Sequence, residues 1–239
     1  MLIGELEAIE RGDSDLLLIE MPPGSAKSTY VNYLFSAWVL ARNAAWQVLT
    51  CSHSTELAER WGRKTRNLVS EAQRTLGYSL SGDSSAAYRW ATSGGGEYYA
   101  AGVGVGIMGF RGDLGIIDDP FGSREDAESK RIRDRVWEWY LNDFSSRLKP
   151  EARRVIMHQR FHEDDLAGRL VALCERIGKP YRRLKIRAES IGEGDDPLRR
   201  PAHWSSQSEV TRVARPTPGR RRCRRPASAN TGEARTTST

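Results

Sequence analysis

Stretches of unbroken apolar residues alternate with segments whose apolar positions recur every three or four residues. LLLIE at 16–20 is apolar up to its last residue, the pattern of a strand covered on both faces. Pro22, Pro23 and Gly24 break it. Residues 28–42 carry Val31, Leu34, Phe35 and Trp38 at helical spacing. WQVLTCS at 46–52 is a second strand, and Ser54 stands where it would cap the next helix, whose faces are set by Glu56, Leu57, Glu59, Arg60 and Lys64. Residues 2–10 read as a short helix ahead of all this. The order strand, helix, strand, helix predicts a parallel sheet with crossover helices.

Further on, residues 77–110 are rich in Gly, Ser and Tyr, with short strands expected near 88–91 and 98–101. DLGIID at 113–118 is another buried strand. A long amphipathic helix fits 124–144, with Val136, Trp137, Tyr140, Leu141 and Phe144 as its apolar members. RRVIMH at 153–158 is a strand, 163–177 a helix with acidic residues in its first turn, and 181–189 a last strand. No internal repeat is present. After Pro197 the chain turns to Arg, Pro, Ser, Thr and Ala, too poor in large apolar residues to offset the entropy of ordering. A disordered tail is therefore expected over 198–239.

Charge changes the picture in one respect. The formal net charge is +6, yet the tail alone carries ten arginines against two glutamates, +8, which leaves −2 for residues 1–197. The basic balance thus belongs to the tail, and global charge is no argument for a nucleic-acid-binding body. The 239 residues suffice for one large domain, and no apolar stretch reaches the ~20 residues of a membrane span. The acidic N-terminus does not read as a signal peptide. Cys51, Cys174 and Cys223 are odd in number and widely spaced, so neither a disulfide framework nor a zinc site is suggested, and a reducing compartment is expected.

Two segments carry candidate chemistry. In PPGSAKST at 22–29, a strand runs through a tight loop into Lys-Ser-Thr and a helix, the plan of a phosphate-binding loop whose amides surround phosphates. Lys27 would reach the β- and γ-phosphates and Ser28 would ligate magnesium. The pattern GxxxxGKS is not met in full, because Met21 and Ala26 stand where its two glycines belong; an ordinary strand-to-helix turn is the competing reading. In LGIIDDP at 114–120, an apolar strand ends in two carboxylates, the Walker B arrangement. Asp118 would hold magnesium through water and Asp119 would orient or deprotonate the attacking water. Asp-Asp-Pro is also good turn chemistry after any strand. The two segments stand in the right order about ninety residues apart, which makes the pair stronger than either alone.

His158 and His162 lie four apart, but Gln159 follows the first, so the metalloprotease pattern fails. His162 is expected to orient the turn at Glu163, Asp164 and Asp165. Trp137, Trp139 and Tyr140 are expected to pack in the core rather than stack on bases. Arg63, Lys64 and Arg66 read as a solvated helix face.

From about residue 6 to 197 the chain resembles the ATPase domain of tailed-phage terminase large subunits, the DNA-packaging motors. The resemblance rests on MPPGSAKST, SHSTELAERWGRKTRNLV, GVGVGIMGFRGDLGIIDDP, REDAESKRIRDRVWEWYLNDFSSRL and, most specifically, VIMHQRFHEDDLAGRL. It implies an α/β P-loop NTPase fold of the ASCE type, with a central, mainly parallel sheet flanked by helices. It also tolerates a deviant loop. ATP and Mg2+ would be bound by Pro23, Gly24, Ser25, Ala26, Lys27, Ser28 and Thr29, with Ser28 and Asp118 serving the metal. Lys27, Asp118, Asp119, Arg111 and Gln159 would act in hydrolysis: His158, Gln159 and Arg160 match a motif that senses the γ-phosphate, where many relatives have Thr-Arg. Arg111 matches an arginine supplied in trans to a neighbouring subunit.

Further implications concern the whole machine. The partners would be double-stranded DNA, the portal protein and the small terminase subunit, in a homo-oligomeric ring without a membrane. The place would be the cytoplasm of a bacterial host rather than the mature virion. Relatives carry an upstream helix that contacts adenine and, downstream, an RNase H-like nuclease domain. About forty residues with two carboxylates follow Pro197, so nuclease activity is not expected here, and a frameshift or truncation near Leu198 is the expectation that translation of the downstream DNA would test. The alternatives are an inactive prophage remnant, a DNA-binding fragment working through its basic tail, and a helicase-like P-loop protein.

Overall fold

The computed structural model describes residues 1–186 and 208–212. Helix α1 (Leu2–Arg11) precedes β1 (Leu16–Glu20). A π-helical segment (Thr29–Phe35) then runs straight into α2 (Ser36–Arg42), followed by β2 (Gln47–Ser52) and α3 (Thr55–Glu71). After the short α4 (Gln73–Leu76) come β3 (Leu80–Ser85), β4 (Arg89–Thr92), β5 (Glu97–Gly102) and β6 (Gly112–Asp118). The remaining elements are α5 (Arg124–Glu128), α6 (Lys130–Trp139) with a π segment (Tyr140–Phe144), β7 (Leu148–His158), α7 (Leu166–Ile177), β8 (Arg182–Ile186) and β9 (Ser208–Arg212).

Among the described residues nine strands form one sheet in the order β3-β4-β5-β2-β6-β7-β1-β8-β9. The centre, from β5 to β8, is parallel; β3, β4 and β9 join antiparallel at the flanks. The central strands are apolar on both faces because both are covered. Leu17, Ile19, Val48, Ile116, Val155 and Met157 pack with α1, the π segment, α2 and α3. Their neighbours Leu16, Leu18, Leu49, Cys51, Ile117 and Ile156 pack with α6, its π extension and α7. The strand period of two thus divides one apolar run between two cores in a three-layer α/β arrangement.

Close approach of α3 to the sheet depends on Gly62: a Cβ there would strike the Ala87 carbonyl, and Trp90 Nε1 donates to the Gly62 carbonyl at 3.3 Å. Trp90 in turn stacks on Tyr98 with ring centroids 4.9 Å apart. Ser54 caps α3 as expected, its hydroxyl accepting from the Leu57 amide at 3.3 Å.

Four expectations need correction. The long helix over 124–144 is broken at Ser129, because the buried Arg133 guanidinium turns back to the Ala127 and Glu128 carbonyls at 2.8 Å each and ends α5 there. The helix expected from 163 starts at Leu166, with Asp165 as its cap and Glu163 and Asp164 in the preceding turn. The last strand begins at Arg182 rather than at 181 and is described as far as Ile186; the rest of its expected span, 187–189, lies outside the described residues. Five residues of the segment read as disordered form β9; the rest of that segment and the boundary at residue 197 lie outside the described residues.

Candidate functional site

The carboxyl ends of β1, β6, β7 and β2 converge, and the loops that leave them build the site. In open α/β sheets this edge is where ligands bind. The loop after β1 curls tightly: Gly24 and Ala26 have φ of 74° and 60°, and the Ser25 hydroxyl donates to the Pro22 carbonyl at 2.7 Å. Ala26 is a non-glycine residue in the left-handed region, at the position where the loop pattern has its second glycine. Among the described residues the amides of Gly24, Ser25, Ala26 and Lys27 donate to no protein acceptor, so they remain available to an anion.

Lys27 is buried, and its Nζ sits 3.1 Å from Asp119 Oδ2. Asp119 follows β6 with φ of 43°. Its other oxygen accepts from the Gln159 amide at 3.1 Å, its carbonyl accepts from the His53 amide at 3.2 Å, and its own amide donates to the Met157 carbonyl at 2.9 Å. The preceding carboxylate, Asp118, is 1% exposed. Burial raises its pKa to about 7 and the Asp119 charge adds to the rise, against the opposing effects of a Ser28 hydrogen bond, the Lys27 charge and an Asn32 hydrogen bond. Asn32 Nδ2 donates to Asp118 Oδ2 at 2.6 Å. Asp118 Oδ1 and Asn32 Oδ1 are buried and have no hydrogen-bond partner among the described residues.

Pro23, Lys27, His53, Asp119, Ser123 and Gln159 line a pocket of about 190 Å³. Of the sequence-predicted residues, Pro23, Lys27, Asp119 and Gln159 thus line one pocket, while Ser28 follows Lys27 and the buried Asp118 precedes Asp119 without lining it. Thr29 lines a neighbouring hollow with Tyr33, Trp61 and Lys64. Arg111 is exposed at the opposite end of β6, seven residues from Asp118 and hence roughly 20 Å away along the strand, out of reach of its own chain's pocket.

The Arg160 guanidinium is taken up by Asp165, Glu20 and two carbonyls, while His158 and Gln159 of the same motif line the pocket. His162 does orient its turn, Nδ1 accepting from the Asp164 amide at 2.9 Å. Trp139 and Tyr140 are buried as expected, and Arg63 and Lys64 are exposed.

The sequence reading did not single out Asn32, His53 or Glu20. Asn32 carried a signal: a polar residue one helical turn after Ser28, interrupting the apolar face of Val31 and Phe35. Glu20 carried another, a carboxylate ending a strand otherwise wholly apolar.

Fold and site together define a three-layer α/β protein whose polar side chains gather at the carboxyl edge of a parallel sheet. Residues 18–217 match the family model described as terminase large subunit, T4likevirus-type, N-terminal. That match covers most of the chain, and the chain belongs to the terminase large-subunit family. The crystal structure of the HK97 bacteriophage large terminase is similar in fold, with a TM-score of 0.54 at 13% identity over 80% of this chain and 40% of that chain. The chain thus spans about 40% of the length of the terminase it matches. None of the curated proteins matches it. No helix among the described residues is long and apolar enough to cross a membrane.

Proposed function

We propose that this chain is the ATP-hydrolysing motor domain of a terminase large subunit, powering translocation of double-stranded viral DNA. The observation that carries the reading is the ion pair across two loops, Lys27 with Asp119 at 3.1 Å, with the buried Asp118 next to it. A chance Lys-Ser pair in a strand-to-helix turn would have no reason to set its lysine against a carboxylate that ends a second strand. The position of β7 between β1 and β6 supports the ASCE type, in which one strand separates the phosphate loop from the carboxylate strand.

The residues fit a magnesium nucleotide. The loop offers free amides and a buried ammonium to the phosphates. Ser28 and Asp118 are hard oxygen donors of the kind magnesium takes, and Asp118 Oδ1 lacks a partner among the described residues. Magnesium, when bound, would neutralise developing phosphate charge and favour the ionised form of Asp118. Lys27 balances phosphate charge at the floor of the pocket. Asp119, held by the Gln159 amide, orients the attacking water and accepts its proton. Asn32 holds Asp118 from beneath. The exposed Arg111, remote from its own site, suits a role at a neighbouring subunit's pocket in a ring.

ATP hydrolysis measured with and without double-stranded DNA tests the reading. Hydrolysis stimulated by DNA is expected, with Lys27→Ala and Asp119→Asn each slower by about a thousandfold, the scale on which a positioned charge or base contributes. Equal rates in all three proteins would sink it.

A further inference from the structure

The residue after Gln159 is bound more fully than any side chain lining the pocket, yet it does not face the pocket. We propose that Arg160 is a positioning residue for the nucleotide site, acting through Glu20 and Asp165 to hold Gln159 against Asp119. The proposal rests on the ATPase reading above and adds to it a device outside the pocket.

Arg160 Nε donates to Asp165 Oδ2 at 2.7 Å and one terminal nitrogen donates to Glu20 Oε1 at 3.1 Å. The other terminal nitrogen donates to the carbonyls of Glu163 at 2.7 Å and His162 at 3.2 Å. One guanidinium therefore joins three pieces of backbone. Glu20 is the last residue of β1, directly before the phosphate loop, and lies beside His158 in the parallel register. Asp165 caps α7, its Oδ1 accepting from the Gly168 amide at 3.0 Å. The two carbonyls belong to the loop between β7 and α7.

Glu20 is tied a second time, to Arg183 of β8, at 2.9 and 3.0 Å. Glu20 and Asp165 are both buried. Burial pushes the Glu20 pKa up, but Arg183 and Arg160 outweigh it and hold the carboxyl below its ordinary value. Removing the Arg160 guanidinium leaves Asp165 and Glu20 short of partners and frees the loop that carries Gln159.

The consequence reaches the pocket through one residue. The Gln159 amide binds one oxygen of Asp119 while Lys27 binds the other, so a shift of this loop turns the Asp119 carboxylate relative to Lys27. Lysine at 160 would be a point charge unable to reach two carboxylates and two carbonyls in one plane.

The test is steady-state ATP hydrolysis and calorimetric ATP binding by the full chain. Arg160→Gln is expected to lower kcat by roughly tenfold to a hundredfold, the effect of a small misplacement, with KM within about threefold and binding stoichiometry unchanged. Glu20→Gln should reproduce the fall, the double variant should be little worse than either single one, and Arg160→Lys should recover part of the rate. Arg182→Gln, which breaks the ion pair with Glu5 of α1 at the far end of β8 from the pocket, should lower Tm and leave kcat alone.

Wild-type kcat in Arg160→Gln, or a fall matched by lost binding stoichiometry, overturns the positioning role. Should Arg160→Gln fail to fold, wild-type kcat in Arg160→Lys overturns it equally. A wild-type chain that hydrolyses ATP beside an unimpaired Arg160→Gln removes this inference alone. A wild-type chain that hydrolyses none removes the proposed function and this inference with it.

Discussion

Two loops face each other across the pocket, and they are built in opposite ways. The loop after β1, residues 21–28, makes few bonds to itself: one hydroxyl to the Pro22 carbonyl, two left-handed residues and a run of amides with no protein partner. The loop after β7, residues 159–165, satisfies itself almost completely through Arg160, His162 and Asp165. Unpaired donors in the first are what an anionic ligand needs. Bonds already made in the second leave it little to offer a ligand except a fixed wall. A binding loop and a positioning loop can therefore be told apart by where their hydrogen bonds go.

Glycines give the sharpest way to break that comparison. Gly168 stands in the first turn of α7, where a Cβ would run into the Glu163 carbonyl and lie 3.0 Å from an Arg160 nitrogen. Backbone cannot yield as a side-chain tip can, so Gly168→Ala should cost about 3 kcal/mol, read as a lower urea midpoint at unchanged slope. Gly24 has open space around it and a φ of 74°. Gly24→Ala should then cost only the left-handed strain, about 1–2 kcal/mol, and should weaken nucleotide binding out of proportion to that loss. Equal stability losses at the two positions would show that the loops are not built differently after all.

Ala26 runs the other way. With φ at 60° it carries a strain that glycine would not. Ala26→Gly should relieve about 1–2 kcal/mol of strain and give back part of it through the freer unfolded chain. A net gain near 1 kcal/mol, about the smallest that thermal unfolding resolves well, is expected, with ATP binding retained. Loss of stability instead would mean that the loop relaxes into another conformation when Ala26 is replaced.

Legibility in the sequence followed burial. The central strands β1, β2 and β6 are covered on both faces, so they stand out as apolar runs, and the two catalytic-looking segments stand at the ends of two of them. Among the described residues the strands β3 and β9, LSGDSS and SEVTR, each pair with one neighbour and carry no such run, so nothing in their composition announces them. The break at Ser129 was hidden because the apolar spacing continues through it; the cause is Arg133, a charged residue whose destination lies behind it in the chain. Lys27, Ser28, Asp118 and Asp119 were legible as residue types in order. Asn32 and Glu20 interrupt apolar patterns in the sequence, but their roles were not legible, since their partners come from strands and helices that meet only in the fold. Arg160 was legible as part of a motif with His158 and Gln159, but adjacency to Gln159 says nothing about which way its guanidinium turns.

The weakest expected effect concerns pH and tests the ion pairs that brace the second loop. Arg169 hydrogen-bonds Asp164 and, against a small burial effect, holds its pKa down to about 2, with Arg133 assisting. Because the folded-state value lies below the ordinary value of about 3.9, the unfolded chain binds more protons in that interval. This contribution is therefore complete above about pH 4 and is lost as pH falls toward 2. Asp164 is 44% exposed, so solvent screening limits the contribution to no more than ~1 kcal/mol. Urea unfolding at pH 5 and pH 2.5 should show the difference between wild type and Asp164→Asn shrinking with acid. The first loop holds no comparable carboxylate pair of its own, and Gly24→Ala should therefore keep the same stability deficit at both values. A deficit of Asp164→Asn that is equally large at pH 2.5 would assign its effect to packing rather than to charge.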